Sequence, residues 1–363
     1  MNFKIQKDIL MGGIQTVQNI VTSKSVLPIL SNILIEAQQD KIRLTATDLD
    51  IGISCVVPVN TQETGMITIP AKRFSDIIKE LPGDEVSIIT KKNNLMLIET
   101  ESCQFRIMGA GVEEFPKLPE FKDREVIKLD QADLKEMLRL TSFAVSLDES
   151  RYILNGILFQ ISKGNLGLVA TDGKRLAIIE KKMKQGADKD VRMIVPLKTI
   201  QELNRSLKDE GELVLVLGNN QVLFELDRVM IISRLIEGEF PDYHQVIPPQ
   251  SENKIKIDRE RFLLAIKRAA LLATPDYQAV KLEVFKNKLV VSKSTPDVGE
   301  SREEISMEYG GKEMMIGFNP AYLVDVLKNL ALETIELELT DTEKPGVIRI
   351  NGYIYIVLPM RLS

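Results

Sequence analysis

Two periodicities alternate along the chain. Short runs rich in Ile, Val and Leu, among them EVSIIT, NLMLIET, ELVLVLG, QVLFELD, TIELELT and VIRINGYIYIVL, read as strands. In DILMGGIQTVQNIV (8–21), QADLKEMLRLTSFAV (131–145) and DRERFLLAIKRAALLA (258–273) the apolar residues recur at three and four, the spacing of amphipathic helices. ITIPAKRFSDIIKEL (67–81), MIVPLKTIQELNRSL (193–207) and GFNPAYLVDVLKNL (317–330) place a proline just ahead of the same pattern. There its missing N–H costs a helix nothing, so each reads as a strand running into a helix.

These elements recur. KIRLTATDLDIGISC (41–55) returns as NLGLVATDGKRLAII (165–179) and more faintly as KLVVSKSTPDVGES (288–301), so that Asp48, Asp172 and Asp297 lie 124 and 125 residues apart. Pro70, Pro196 and Pro320 are spaced by 126 and 124, and EEFPKLPE and GEFPDYHQ set Pro116 and Pro241 125 apart. The unit is too long for a solenoid repeat and reads as a triplicated domain of about eight strands and two helices. The boundaries fall near 124 and 250, giving 1–124, 125–250 and 251–363. Helices covering one face of antiparallel sheets make the expected class α+β.

A chain of 363 residues with 44% hydrophobic and 27% charged positions has enough material for two or three buried cores. Cys55 and Cys103 are too few and too far apart for a disulfide framework or a zinc site, which fits a reducing cytoplasm. The start, MNFKIQKDILMGG, lacks the pattern of a signal peptide, and no apolar run reaches the length of a membrane span. Net charge is −5, which argues against gripping nucleic acid over the whole surface.

The stretch VATDGKRLA (169–177) raises a phosphate loop, because Gly173-Lys174 follows a strand. A Walker loop needs two glycines flanking four residues before the lysine, and only part of that is present. Repeat 1 has TDLDIGI where repeat 2 has TDGKRLA, so the shared Thr-Asp element is a hairpin turn and the cations are particular to the second copy. His244 is the chain's one histidine and sits in a loop, so no nucleophilic triad is expected, nor a metal site or cofactor. The helical segments, in contrast, are rich in cations, with Lys135 and Arg139 one turn apart and Lys198 and Arg205 two turns apart. That spacing sets them on one face, as tracking a phosphate backbone would require.

The repeat order together with VATDGKRLA, EGEFPDYHQVIP, LPILSNILIEA, RYILNGILF and the terminal YIVLPMRLS resembles the bacterial DNA sliding clamp family, the beta subunit of DNA polymerase III, over the entire chain. The resemblance implies three clamp domains with antiparallel sheets outside and two helices each inside. It further implies a head-to-tail homodimer forming a ring on duplex DNA without sequence preference. Twelve helices spaced by roughly 9–10 Å would enclose a hole of about 26 Å once helix radii are subtracted. Such a protein is a non-catalytic processivity factor in the bacterial cytoplasm, away from membranes. Its implied partners are the polymerase III catalytic subunit, the clamp loader, and other polymerases and repair proteins carrying clamp-binding peptides. Topology holds the DNA, so a mildly cationic lining suffices within an acidic protein.

Carried over residue by residue, the resemblance implies DNA-facing Lys24, Arg73, Arg151, Tyr152 and Lys198. The subunit contact would use Phe105 and Ile107 against Leu271 and Leu272. A partner-peptide pocket between domains 2 and 3 would comprise Leu154, Thr171, Gly173, Arg175, Leu176, Pro241, Val246, Asn319, Tyr322, Ile356, Leu358, Pro359, Met360 and Arg361. Lys174 and Gln245 replace residues common in relatives and bear on peptide preference. Two other readings remain at this level: a nucleotide-dependent enzyme using the Gly-Lys turn, and a peptide-binding scaffold that never encircles DNA.

Overall fold

The architecture comes from a computed structural model of the chain, and the residues described are 1–21, 27–121, 126–184 and 190–362. Among them are six α-helices: α1 (Lys7–Gln18), α2 (Ala71–Glu80), α3 (Gln131–Thr141), α4 (Leu197–Ser206), α5 (Arg259–Ala270) and α6 (Pro320–Asn329). The prolines stand where the sequence pattern put them. Pro70 and Pro196 end a strand immediately before α2 and α4, and Pro320 opens α6 behind the capping side chain of Asn319. Each of the helices α1, α2, α5 and α6 buries one stripe, for example Leu10, Gly13, Ile14 and Val17 of α1. Three of the helices end well before their apolar patterns do, α1 stopping at Gln18 ahead of Ile20. After α3 the segment Ser142–Ala144 tightens into a 3-10 turn, and α5 ends at Ala270 ahead of Leu271.

The described strands number nine, eight and eight in the three sequence repeats, and every pairing is antiparallel. They are not grouped repeat by repeat. The chain divides into two compact units, one comprising Met1–Ala132 with Gln201–Leu235, the other Asp133–Ile200 with Ile236–Ser363.

In the first unit an eight-stranded sheet runs Val126–Asp130, Glu212–Leu217, Gln221–Leu226, Val229–Arg234, Ile51–Pro58, Lys41–Thr47, Asn32–Ala37, Gly65–Pro70. A second sheet of five strands ends at the edge strand Gln104–Met108. Repeats 1 and 2 are joined where Val229 to Ser233 pair with Cys55 to Ile51. Across that join runs the row Gly52, Ile232, Leu223, Val216, each opposite the next. The connecting segment lies over the row. Phe115 is buried, and Leu118 comes so close to Gly52 that a Cβ there would sit 2.4 Å from its Cδ2, which is why the position is glycine. Phe121 and Leu118 complete the cluster of Val216, Leu223 and Ile232.

The second unit repeats the plan. Its eight-stranded sheet runs Val191–Pro196, Gly156–Ser162, Asn165–Thr171, Arg175–Lys182, Tyr353–Val357, Gly346–Ile350, Thr334–Glu338, Lys254–Asp258. The four-stranded sheet ends at the edge strand Gly299–Ser306. Here Arg175 to Ile179 pair with Val357 to Tyr353, the same register as the first join moved by 124 on both strands. Leu176, Ile356 and Val347 form the corresponding row and pack with Phe240 and Tyr243 of the next connecting segment.

Candidate functional site

The site lies in the second unit and begins at the hairpin turn. Thr171 Oγ1 donates to the carbonyl of Arg175 (2.5 Å) and accepts from Gly173 N–H (3.0 Å). Asp172 Oδ1 accepts from Lys174 N–H (2.8 Å) and Arg175 N–H (3.0 Å). The turn therefore uses its own backbone donors, and none of the three is left to cradle a phosphate. Gly173 has φ +84°, a left-handed conformation that glycine adopts without strain. Repeat 1 builds the same turn from Thr47 and Asp48, with Leu49 forced to φ +82°.

Arg175 is the hub. Its Nε donates to Asp172 Oδ2 (3.0 Å), Nη1 to Asp325 Oδ2 (2.6 Å) and Nη2 to the carbonyl of Phe143, and its guanidinium stacks over Tyr322 at 4.5 Å from the ring centroid. Burial works against the charge of Arg175, but the bond to Asp325 and the nearby carboxylates outweigh it and hold the guanidinium above its ordinary pKa. Tyr322 and Asp325 lie one turn apart on α6, so one helical face meets the turn with a ring and a carboxylate. Tyr355 packs on Phe143 and donates to the carbonyl of Tyr322 (2.8 Å), and its burial raises its pKa far above the usual phenol value.

The C-terminal tail closes one side. The strand ends at Val357, after which Leu358 N–H donates to Lys174 O (2.9 Å) and Met360 N–H to Gly317 O (2.8 Å), two residues before the α6 cap Asn319. Leu176 and Ile356 are buried, with Leu154 packed on their cluster. Val246 and Leu358 are exposed, while Pro359 and Met360 are partly covered. Pro241 and Arg361 are exposed. Pro241 and Val246 bracket Tyr243, whose hydroxyl donates to Gln160 Oε1 (2.6 Å). The arrangement offers apolar side chains around a turn fixed by ion pairs, suited to holding apolar residues of an extended peptide. His244 is exposed, its ring centroid 4.2 Å from that of Tyr243.

The other expected positions are spread more widely. Arg151 lies against the turn itself, donating from Nη1 to Asp172 O (3.1 Å), next to the exposed Tyr152. Arg73 is exposed on α2, Lys198 is half-buried in the first turn of α4, and Lys24 lies outside the described residues. Phe105 is exposed and Ile107 buried on the edge strand of the first unit; Leu271 is 81% exposed just past α5, with Leu272 half-buried. Sequence reasoning missed Asp325 and Phe143, the groups that lock Arg175 in place. Nothing in their local pattern marks them, because they meet Arg175 only through the fold.

The chain matches family models for the DNA polymerase III beta subunit in three consecutive stretches: the N-terminal domain over residues 1–119, the central domain over 128–242 and the C-terminal domain over 244–361. It is 33% identical over 363 residues to the beta sliding clamp of Chlamydia muridarum, covering 100% of this chain and 99% of that protein. With the beta sliding clamp of Bacillus subtilis it shares 34% over 376 residues, covering 99% and 100%. Among solved structures, the DNA polymerase sliding clamp from Bacillus subtilis superposes with a TM-score of 0.95 at 33% identity, and a Pseudomonas aeruginosa sliding clamp bound to griselimycin with 0.94 at 32%, each covering 100% of both chains.

Proposed function

The chain belongs to the DNA polymerase III beta subunit family, and from that membership we propose that two copies joined head to tail close around duplex DNA as a sliding clamp. It is a processivity factor: it keeps a polymerase on its template and takes no part in the chemistry. In our reading it works in the bacterial cytoplasm with the polymerase III catalytic subunit, a clamp loader and further polymerases and repair proteins. Its three domains are 1–124, 125–250 and 251–363.

One observation carries the dimer. Two internal joins use one register, 51–55 with 229–233 and 175–179 with 353–357, and the strands at the corresponding places in repeats 1 and 3, Gln104–Met108 and Gly299–Ser306, each stand at a sheet edge. Moving the hairpin strand on by 124 gives 299–303, and moving the closing strand back by 126 gives 103–107. The offset of 126 is that which relates the bridges Thr68–Ala110 and Ile194–Ile236. The third join then forms between copies, with Glu300 opposite Arg106 and Ser301 opposite Phe105. Phe105 would occupy the place of Ile231 and Tyr355, which are fully buried at the internal joins. Two edges that would invite uncontrolled pairing are thereby closed.

Partner peptides, in this reading, place a leucine and a further apolar residue at the site formed by the 171–175 turn, the 241–246 segment, Asn319 and Tyr322 of α6, and the tail 358–361. Arg73, Arg151, Tyr152 and Lys198 are assigned to contacts with DNA, as is Lys24, which lies outside the described residues. The test is topological. A solution mass near twice 40.9 kDa is expected, together with retention on nicked circular DNA after loading and release on linearisation. Equal retention on circular and linear DNA would overturn the ring and favour a peptide-binding scaffold.

A further inference from the structure

Lys293 is buried in the third repeat, 5% exposed, and its ammonium is held by carbonyls: Nζ donates to Tyr277 O (2.6 Å) and Ala279 O (2.9 Å). Its counterparts show that the core does not need a lysine there. In the hairpins of the three repeats Ala46 faces Ile53, Ala170 faces Ala177, and Lys293 faces Ser301, and both alanines are fully buried. Desolvating an ammonium is costly, and here burial alone depresses the lysine's pKa. A group placed at such cost, where alanine serves twice in the same chain, requires a compensating role.

That role is visible in what it holds. Residues 271–279 connect α5 to the strand Val280–Phe285 without entering a helix or strand. Thr295 Oγ1 donates to Leu272 O (2.6 Å) at one end of the segment, Lys293 grips Tyr277 and Ala279 at the other, and Thr274 and Tyr277 exchange backbone bonds of 3.2 and 3.1 Å between them. Leu271, 81% exposed, stands at the start of the tied segment, beside the edge strand's bidentate pair of Glu303 with Arg268 of α5 (2.8 and 2.6 Å).

We propose that Lys293 is a positioning residue of the subunit contact, fixing the 271–279 segment so that Leu271 and Leu272 are set for a second copy before it arrives. The inference rests on the dimer reading given above. Pre-ordering such a segment removes an entropic cost that would otherwise fall on association. Lys293→Met keeps the length of the side chain and deletes its donors. Sedimentation equilibrium on the full chain, below the unfolding midpoint of each variant, should show its dimer dissociation constant raised about tenfold or more. Lys293→Arg, which retains charged donors, should stay within about threefold of the parent. If Lys293→Met fails to fold, Thr295→Val is held to the same tenfold criterion. A folded donorless variant that dimerises as tightly as the parent overturns the inference and leaves the ring intact. A parent chain that sediments as a monomer defeats the ring reading instead.

Discussion

Glu300→Arg is the sharpest perturbation of the proposed third join. At the internal joins the positions corresponding to Glu300 and Arg106 are Gly52 with Ile232 and Leu176 with Ile356, paired across the seam and covered by a connecting segment. At the proposed join between copies charged residues occupy the row instead, and both Glu300 and Arg106 are exposed in the single chain. Directly opposed charges across an antiparallel pair contribute roughly 0.2–1 kcal/mol, and like charges oppose by similar amounts. Reversing one therefore shifts each contact by about 0.4–2 kcal/mol. A head-to-tail dimer has two identical contacts, so the dissociation constant should rise between about fourfold and several hundredfold at low ionic strength, less in salt. Arg106→Glu should act alike, and the double reversal Arg106→Glu with Glu300→Arg should recover most of the loss. Analytical ultracentrifugation of the four proteins completes the cycle. A double variant no tighter than either single one would refute the register, since restored attraction is its one specific consequence.

Three more predictions concern the Thr-Asp turns and the peptide site. Leu49→Gly should raise stability by about 0.5–1 kcal/mol, because a left-handed leucine is strained by more than glycine loses in chain entropy. Gly173→Ala should lower it by about 1–2 kcal/mol, since the new methyl is both left-handed and 2.7 Å from Arg151 Nη1; urea midpoints moving in the same direction would contradict this. Met360→Ala should weaken a leucine-containing partner peptide by about 1–2 kcal/mol through lost apolar contact. Fluorescence anisotropy reads that loss, and an unchanged solution mass separates it from dimer effects. Leu176→Ala is the poorer probe, being buried enough to cost stability as well.

The repeats, the six helices and the Thr-Asp turn were all legible in the sequence because each is written locally, in periodicity, in proline placement and in short-range hydrogen bonding. Asp48 and Asp172 accept from residues two and three ahead, so the motif and the structure span the same few positions. The seams were not legible. Ile51–Pro58 shows a strand's pattern but carries nothing to say that Val229–Arg234, rather than a strand of its own repeat, lies beside it. The same holds for Arg175: its neighbour Asp172 is three positions away, whereas Asp325 is 150 positions away and resembles any helical acid in its local setting. Part of the peptide site was visible only through family resemblance, and the ion pairs that fix it were visible only in three dimensions.

Because the sheets cross the repeat boundaries, the order of synthesis matters. Pro58 is made 171 residues before Val229, and Lys182 the same 171 before Tyr353. At 5–20 residues per second a ribosome takes roughly 10–30 s to supply each missing partner. For that interval a nascent chain exposes the long flank of Ile51–Pro58, and later that of Arg175–Lys182, as open templates for any neighbouring strand. On crowded polysomes the protein therefore depends on early shielding of these flanks, and a truncated product ending after the second repeat would keep the second flank open permanently.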